Sequence, residues 1–493
     1  MFETAEIGNK VDKETFAKEA PLVREGLLVA QREVLNAKIP VIILIGGNEG
    51  AGKGEVVNLI NEWMDARGIQ THAMWSPSDE EKERPPFWRF WRILPPKGKI
   101  GIFFGSWYTE PIIDRVYRRI HDDGFTRELE RIREFEKMLV DEGALLLKFW
   151  LHLSKKTQKE RLMEIQSDPL TAWRVTKLDW KFFKRYDRFR KISEQAVKET
   201  STGEAPWHII EAVDKRYRHL TVTKLMLQGM QDSLKKAKET PAAPPPKPPL
   251  PRPRKVNVIN QLDLTKSIAQ KAYETSLLKY QGKLNVLSRK LHQEHESMVL
   301  VFEGNDAAGK GGSIRRTIQG MDARSYQITQ IAAPTEEERA QPYLWRFWRH
   351  LPRLGKVTIF DRSWYGRVLV ERIEGFCRES DWKRAYNEIN EFEDQLTDFG
   401  IVVLKFWLSI SKEEQMRRFK EREAIAYKQY KITEEDWRNR EKWDAYEAAV
   451  CDMVEQTSTK TAPWILVEAN DKKYARIKIL KTICDRLEKE QHS

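Results

Sequence analysis

The sequence predicts two α/β domains in series, each a parallel sheet held between two layers of helices. Three observations carry that prediction: an internal repeat that needs no gap, an alternation of helical and strand-like patterns within each copy, and a glycine-rich loop after the first apolar run of each copy.

The repeat is read directly. Gly46–Gly54 (GGNEGAGKG) matches Glu303–Gly311 (EGNDAAGKG), so Lys53 falls on Lys310, a shift of 257 residues (310 minus 53). The same shift carries Met64–Arg67 onto Met321–Arg324, Trp88–Arg92 onto Trp345–Arg349, and Lys148–Trp150 onto Lys405–Trp407. Further along, Asp179 and Trp180 fall on Asp436 and Trp437, and Ala205–Trp207 on Ala462–Trp464. Between the copies lies Lys238–Val256, which holds eight of the chain's 22 prolines. Proline lacks a backbone donor and favours extended polyproline II, so residues 238–256 read as a semi-rigid spacer between domains 1–237 and 257–493.

Within each copy the elements follow in order. Helical apolar spacing around Leu27, Gln31 and Leu35 precedes a strand at Val41–Ile45, and the second copy repeats this before Met298–Glu303. The runs Val357–Phe360, Ile401–Leu408 and Trp464–Val467 are apolar apart from Thr358 and Lys405, and read as strands covered on both faces of a parallel sheet. In Trp345–Arg349 the two tryptophans are three apart and share one helix face. That spacing assigns them to the core, with Arg346 and Arg349 directed elsewhere; stacking on a base is the other use of such a pair.

Composition bounds the function. A chain of 493 residues corresponds to two to four domains at ~100–200 residues each, and 17 Trp, 20 Phe and 14 Tyr supply the apolar surface that disorder lacks. The longest apolar stretches, Ile39–Ile45 and Leu145–Leu153, fall well short of the ~20 residues a bilayer needs. The opening residues show no basic and apolar leader, so a soluble, cytoplasmic protein with no membrane partner is expected. Cys377, Cys451 and Cys484 are too far apart to suggest a disulfide framework or a zinc site, and the nine histidines form no cluster. The net charge of +12 asks for a polyanion: nucleic acid, a membrane surface, nucleotides or a phosphate polymer.

The second loop has the G-x-x-x-x-G-K form of a phosphate loop: Gly304, Asn305, Asp306, Ala307, Ala308, Gly309 and Lys310, followed by Gly311. Glycines permit the tight turn, backbone N–H groups and the following helix N-terminus cradle phosphate oxygens, and Lys310 reaches the terminal phosphates. Gly311 stands where the commonest form carries a magnesium-binding hydroxyl. Asp306 adds a carboxylate inside the loop; it can cap the helix, steer a metal or acceptor oxygen, or do both. The strand Val357–Phe360 ends in Asp361 and Arg362, at the sheet edge where such folds bind ligands. A carboxylate there suits a metal ion, which makes Asp306 and Asp361 the candidate metal ligands. Arg362, Arg367 and Glu371 follow at the same edge, where arginines can neutralise a transferring phosphoryl group. Arg417, Arg418, Arg422, Lys428 and Lys431 then form a basic stretch that suits either a cationic lid or a solvated helix face.

The copies are not equivalent. Asp306 corresponds to Glu49, Asp361 and Arg362 to Phe104 and Gly105, and Arg367 to Glu110. The first copy therefore lacks the metal carboxylate and its arginine while keeping the packing motifs. It reads as a structural partner or non-catalytic phosphate binder, and the second copy as the catalytic one.

At these residues the chain resembles the polyphosphate kinase 2 family in its two-domain form. The resemblance rests on Gly304–Gly311, Trp345–Arg349, Phe360–Arg367 with Glu371, Lys405–Trp407 and Ala462–Trp464, and covers nearly all of both copies. It implies two tandem P-loop kinase-like three-layer domains with a helical lid, Mg²⁺ as cofactor, inorganic polyphosphate as donor and AMP as acceptor, giving ADP. It also implies a degenerate first domain. Asp306, Lys310, Asp361 and Arg362 take the family's catalytic positions; the loop residues, Arg346, Arg367, Glu371, Arg418, Arg422 and Lys431 are the expected substrate contacts. Phosphorylation of nucleoside diphosphates by polyphosphate, an ATP-dependent monophosphate kinase and a nucleic-acid clamp are the alternatives. Nucleic acid is not expected as a partner, and exposed helical layers leave room for self-association.

Overall fold

The computed structural model describes residues 1–239, 251–252, 254–426 and 432–490. Most of the expected spacer and the candidate contact Lys431 lie outside the described residues. Two compact units are present: Met1–Pro77, Arg89–Ala242 and Pro334–Trp345 form one, and Ser78–Trp88, Ala243–Ala333 and Arg346–Ser493 the other. Each unit thus follows one copy of the repeat and includes one short stretch of the other.

The first unit holds strands β1 (Val41–Gly47), β2 (Ile69–Ala73), β3 (Ile100–Phe104), β4 (Leu145–His152) and β5 (Trp207–Glu211), in the order β2-β3-β1-β4-β5. The second holds β6 (Ser297–Gly304), β7 (Tyr326–Gln330), β8 (Val357–Asp361), β9 (Ile401–Ser409) and β10 (Trp464–Glu468), in the order β7-β8-β6-β9-β10. Every pairing is parallel. The ladders keep the register of the repeat: Val41 pairs with Ile100 and Leu145, and its counterpart Met298 pairs with their counterparts Val357 and Val402. The central strands are buried along nearly their whole length because helices cover both faces, the burial that a continuous apolar run predicts.

Two strands had no signal in the sequence. β2 and β7 are sheet edges, half-exposed and rich in Gln and Thr, so no apolar run marks them. Trp345–Trp348 forms a single helical turn whose tryptophans are buried, with Arg346 donating to the carbonyl of Ala332 (3.0 Å).

A buried polar knot explains the Lys-Phe-Trp motif. Lys405, on β9, donates to Glu393 (2.6 Å), to Tyr365 (2.9 Å) and to the carbonyl of Thr457 (2.7 Å). Glu393 also accepts from Trp364 (2.9 Å) and Tyr365 (2.7 Å). Burial raises the Glu393 carboxyl pKa and lowers that of the Lys405 ammonium. Trp364 and Tyr365 directly follow Asp361–Ser363, so the knot pins the loop that carries the candidate chemistry. The first unit repeats it with Lys148, Glu136, Trp107 and Tyr108.

Candidate active site

The phosphate loop leaves β6 at Gly304, whose φ of +151° and tight setting (a Cβ would stand 2.5 Å from the carbonyl oxygen of Leu408) admit only glycine. Asn305 fastens the turn to β9: its backbone N–H donates to Leu408 O (3.2 Å) and its Oδ1 accepts from Ile410 N (3.1 Å). Ala307 then takes a left-handed φ of +64°, and Gly309, at +105°, opens the helix Lys310–Ile318. Among the described residues the N–H groups of Asp306, Ala307, Gly309 and Lys310 have no acceptor, the condition of a loop shaped for an anion. Lys310 folds back on the carbonyls of Gly304 (2.7 Å) and Asn305 (3.4 Å), and makes no ion pair among the described residues.

Asp306 and Arg362 meet across the loop at 3.4 Å. Arg362 sits at a left-handed φ of +62° and also reaches Glu435 at 3.4 Å. Burial acts to lower its pKa, but Asp306, Glu435 and Glu303 outweigh that and leave it raised. The second oxygen of Asp306 accepts from Asn439 (2.8 Å), whose own carbonyl accepts from Tyr446 (2.9 Å). Asn439 and Glu435 lie on helix Glu434–Glu441, which starts in a capping box between Thr433 and Asp436. The cleft these groups share, about 80 Å³, is also lined by Glu303, Gly366, Leu369, Val370, Gln415 and Trp443.

Glu303 is a third carboxylate of the site. It is buried, accepts from Ser363 (2.9 Å), and its pKa is raised by burial, with Lys310 acting in the opposite direction. Sequence reasoning passed over Glu303, Glu435, Asn439 and Tyr446. The copy comparison that singled out Asp361 and Arg362 holds their signal too: they correspond to Gly46, Leu178, Phe182 and Phe189. Asn439→Leu is expected to lower kcat/KM for phosphoryl transfer roughly tenfold, the worth of one hydrogen bond to a charged group. Steady-state rates on a variant with unchanged melting temperature check it.

The other expected contacts fall elsewhere. Arg367 pairs with Glu371 (2.8 Å), and neither lines the cleft. Arg418, 2% exposed, lies beneath the loop: it donates to the carbonyls of Ala307 (2.9 Å), Ala308 (3.0 Å), Ala469 (2.7 Å) and Asn470 (2.8 Å). Its charge shapes the loop from below rather than facing a ligand. Arg418→Lys is expected to destabilise the second unit by about 3 kcal/mol, because an ammonium cannot span those four acceptors; a thermal melt reads it. Arg346 and Arg422 do not line the cleft.

For a divalent ion, the described residues contain no group of three or more His, Cys, Asp or Glu side chains placed to hold one. Asp306 and Asp361 suit an ion that takes one or two carboxylates and completes its shell with substrate phosphates and water. Asp306 keeps lone pairs beyond its contacts to Asn439 and Arg362, and the Asp361 carboxylate accepts no hydrogen bond among the described residues.

The first unit has the same frame without these groups. Lys53 is paired with Glu49 of its own loop (3.1 Å). Gly105 keeps the left-handed φ, +82°, that Arg362 has, but a Cβ there would stand 2.8 Å from the carbonyl oxygen of Met74.

Comparison with known proteins agrees with the geometry. The family model Polyphosphate kinase 2 matches residues 10–238 and again 267–493. The chain is 55% identical over 492 residues to a polyphosphate:AMP phosphotransferase of Pseudomonas aeruginosa, covering 99% of both chains. It is 52% identical to a protein of the same name from Pseudomonas syringae pv. tomato, covering 99% of this chain and 98% of that one. A Pseudomonas aeruginosa chain solved as a polyphosphate kinase 2 superposes with a TM-score of 0.90 at 53% identity, over the full length of both.

Proposed function

Because the chain belongs to the polyphosphate kinase 2 family, we infer that it transfers a phosphoryl group from inorganic polyphosphate to AMP, giving ADP. The observation that carries this reading is the phosphate loop with unaccepted N–H groups, closed on one side by Lys310 and on the other by the Asp306–Arg362 pair.

The residues divide the work as follows. Lys310 and the loop N–H groups hold the terminal phosphates of the polymer. Arg362 lies where charge builds on the transferring group, and a guanidinium there acts without reorganising. Asp306, held by Asn439, orients the phosphate oxygen of AMP, which is already anionic and needs no strong base. Leu369, Val370 and Trp443 give the cleft an apolar wall on one side. Asp306 and Asp361 would hold Mg²⁺, which when bound would supply positive charge against the phosphates. Catalysis is then mainly positioning and electrostatics. The first copy serves as a non-catalytic partner, a reading supported by Phe104, Gly105 and the Lys53–Glu49 pair. Among the described residues no helix is long and apolar enough to cross a membrane, and a cytoplasmic site suits the nucleotide substrates.

ADP formation from AMP, polyphosphate and Mg²⁺ tests the reading. Turnover with AMP and polyphosphate is expected. Turnover with ATP and AMP alone, and none with polyphosphate, would overturn it in favour of an ordinary monophosphate kinase.

A further inference from the structure

We propose that the first copy carries an anion site of its own, which grips a stretch of inorganic polyphosphate outside the phosphate loop. It is a cavity of about 550 Å³ between the end of helix Thr109–Val116, the turn after it, and helix Tyr186–Thr200. Arg115, Arg118, Arg188 and Lys191 line it. Arg115 is paired with Asp122, and its carbonyl accepts from Arg188 (3.0 Å). Arg118, Arg188 and Lys191 make no ion pair among the described residues. Desolvation and then the guanidinium groups of Arg118, Arg115 and Arg185 lower the pKa of Arg188, and Asp122 acts in the opposite direction. Asp122 also lines the cavity, where it is the one carboxylate beside four cations, and it is already paired with Arg115.

The second copy shows that the fold does not need this cluster. Arg118 corresponds to Gly375, Arg188 to Ala445, Lys191 to Ala448 and Gln195 to Asp452. There, Arg372, the counterpart of Arg115, is neutralised by Asp452 at 2.9 Å. The first copy thus carries three cations that the second lacks, and has Gln195 where the second has Asp452, its Arg115 being paired with Asp122 instead; His121 in place of Arg378 removes one cation in return. Arg118 also holds a left-handed φ of +62°, where the second copy has Gly375 at +70°.

The chemistry selects a phosphate polymer. The cavity exceeds a single phosphate, and the cations are spread over two elements. Grooves for single-stranded nucleic acid pair cations with aromatic stacking faces, and His121 is the one ring among the residues lining this cavity. The proposal rests on polyphosphate being the donor, and gives the first copy a role in holding the polymer away from the reaction centre.

The test is equilibrium binding of long-chain polyphosphate to the full chain carrying Lys310→Ala, which reads binding without turnover. Adding Arg118→Gly, Arg188→Ala and Lys191→Ala together is expected to weaken binding about tenfold. It should also flatten the slope of log affinity against log salt by about 2, at roughly 0.7 per cation removed. Gln195→Asp, which restores the second copy's carboxylate and removes no cation, is expected to weaken binding several-fold, and decides the matter if the triple variant does not fold. Unchanged polyphosphate affinity in both variants overturns the proposal. So does a loss confined to orthophosphate or to a single-stranded oligonucleotide, since the cavity would then serve another anion. ADP formation by the unmodified chain tests the donor reading separately.

Discussion

Lys310→Ala is expected to lower the rate of ADP formation by about 10³-fold, while Lys53→Ala leaves it within about a factor of two. The two lysines occupy the same place in the same loop, at the start of equivalent helices. What differs is the company. Lys53 is matched by Glu49 (3.1 Å), whose longer side chain reaches back across the loop. The shorter Asp306 instead faces Arg362 and Asn439, so the Lys310 ammonium remains available to phosphate. Removing it takes away the fixed cation that, on the proposed reading, faces the phosphates of the transition state. Measuring ADP from AMP and polyphosphate for wild type and both variants checks this. Equal losses would mean that the first copy is catalytic or holds the polymer in its own loop.

The second large effect concerns folding. Lys405→Met is expected to destabilise the second unit by about 3–5 kcal/mol, because it strands a buried carboxylate. At ~2–4 °C per kcal/mol for a unit of this size, its melting temperature should fall by roughly 6–20 °C. Lys405 and Glu393 are both wholly buried, and no water can replace the lost ammonium. Adding Glu393→Gln to Lys405→Met should recover much of the loss, since the amide still accepts from Trp364 and Tyr365 and carries no charge. Calorimetry on the single and double variants separates the charge from the packing. Lys148→Met, acting on the twin knot, should cost the first unit a similar amount.

These cases show what the sequence could reveal. The parallel sheets were legible because β6, β8, β9 and β10 are buried and apolar, and because the repeat supplied each element twice. Edge strands β2 and β7 were not, since half their residues meet water. Asp306, Lys310 and Arg362 stood out by motif, and the structure brings them to one cleft. Arg418 looked like one charge in a basic run; only tertiary structure reveals that four carbonyls and the Glu414 carboxylate consume its donors. Asn439 and Tyr446 escaped for the opposite reason. A neutral amide on a charged helix has no local pattern, and it matters because the fold lays it against Asp306.

The setting of Gly105 bears on how the two copies could have diverged. The turn there still has the backbone shape that carries Arg362 in the other copy, yet the carbonyl of Met74 now lies 2.8 Å from where a Cβ would be. Restoring an arginine would require the end of β2 to move first. An arginine at position 105 alone is therefore strained by its neighbour before it can bring any benefit. Building the Asp361–Arg362 arrangement into the first copy would thus take a rebuilt Met74 turn as well as new residues at 104 and 105.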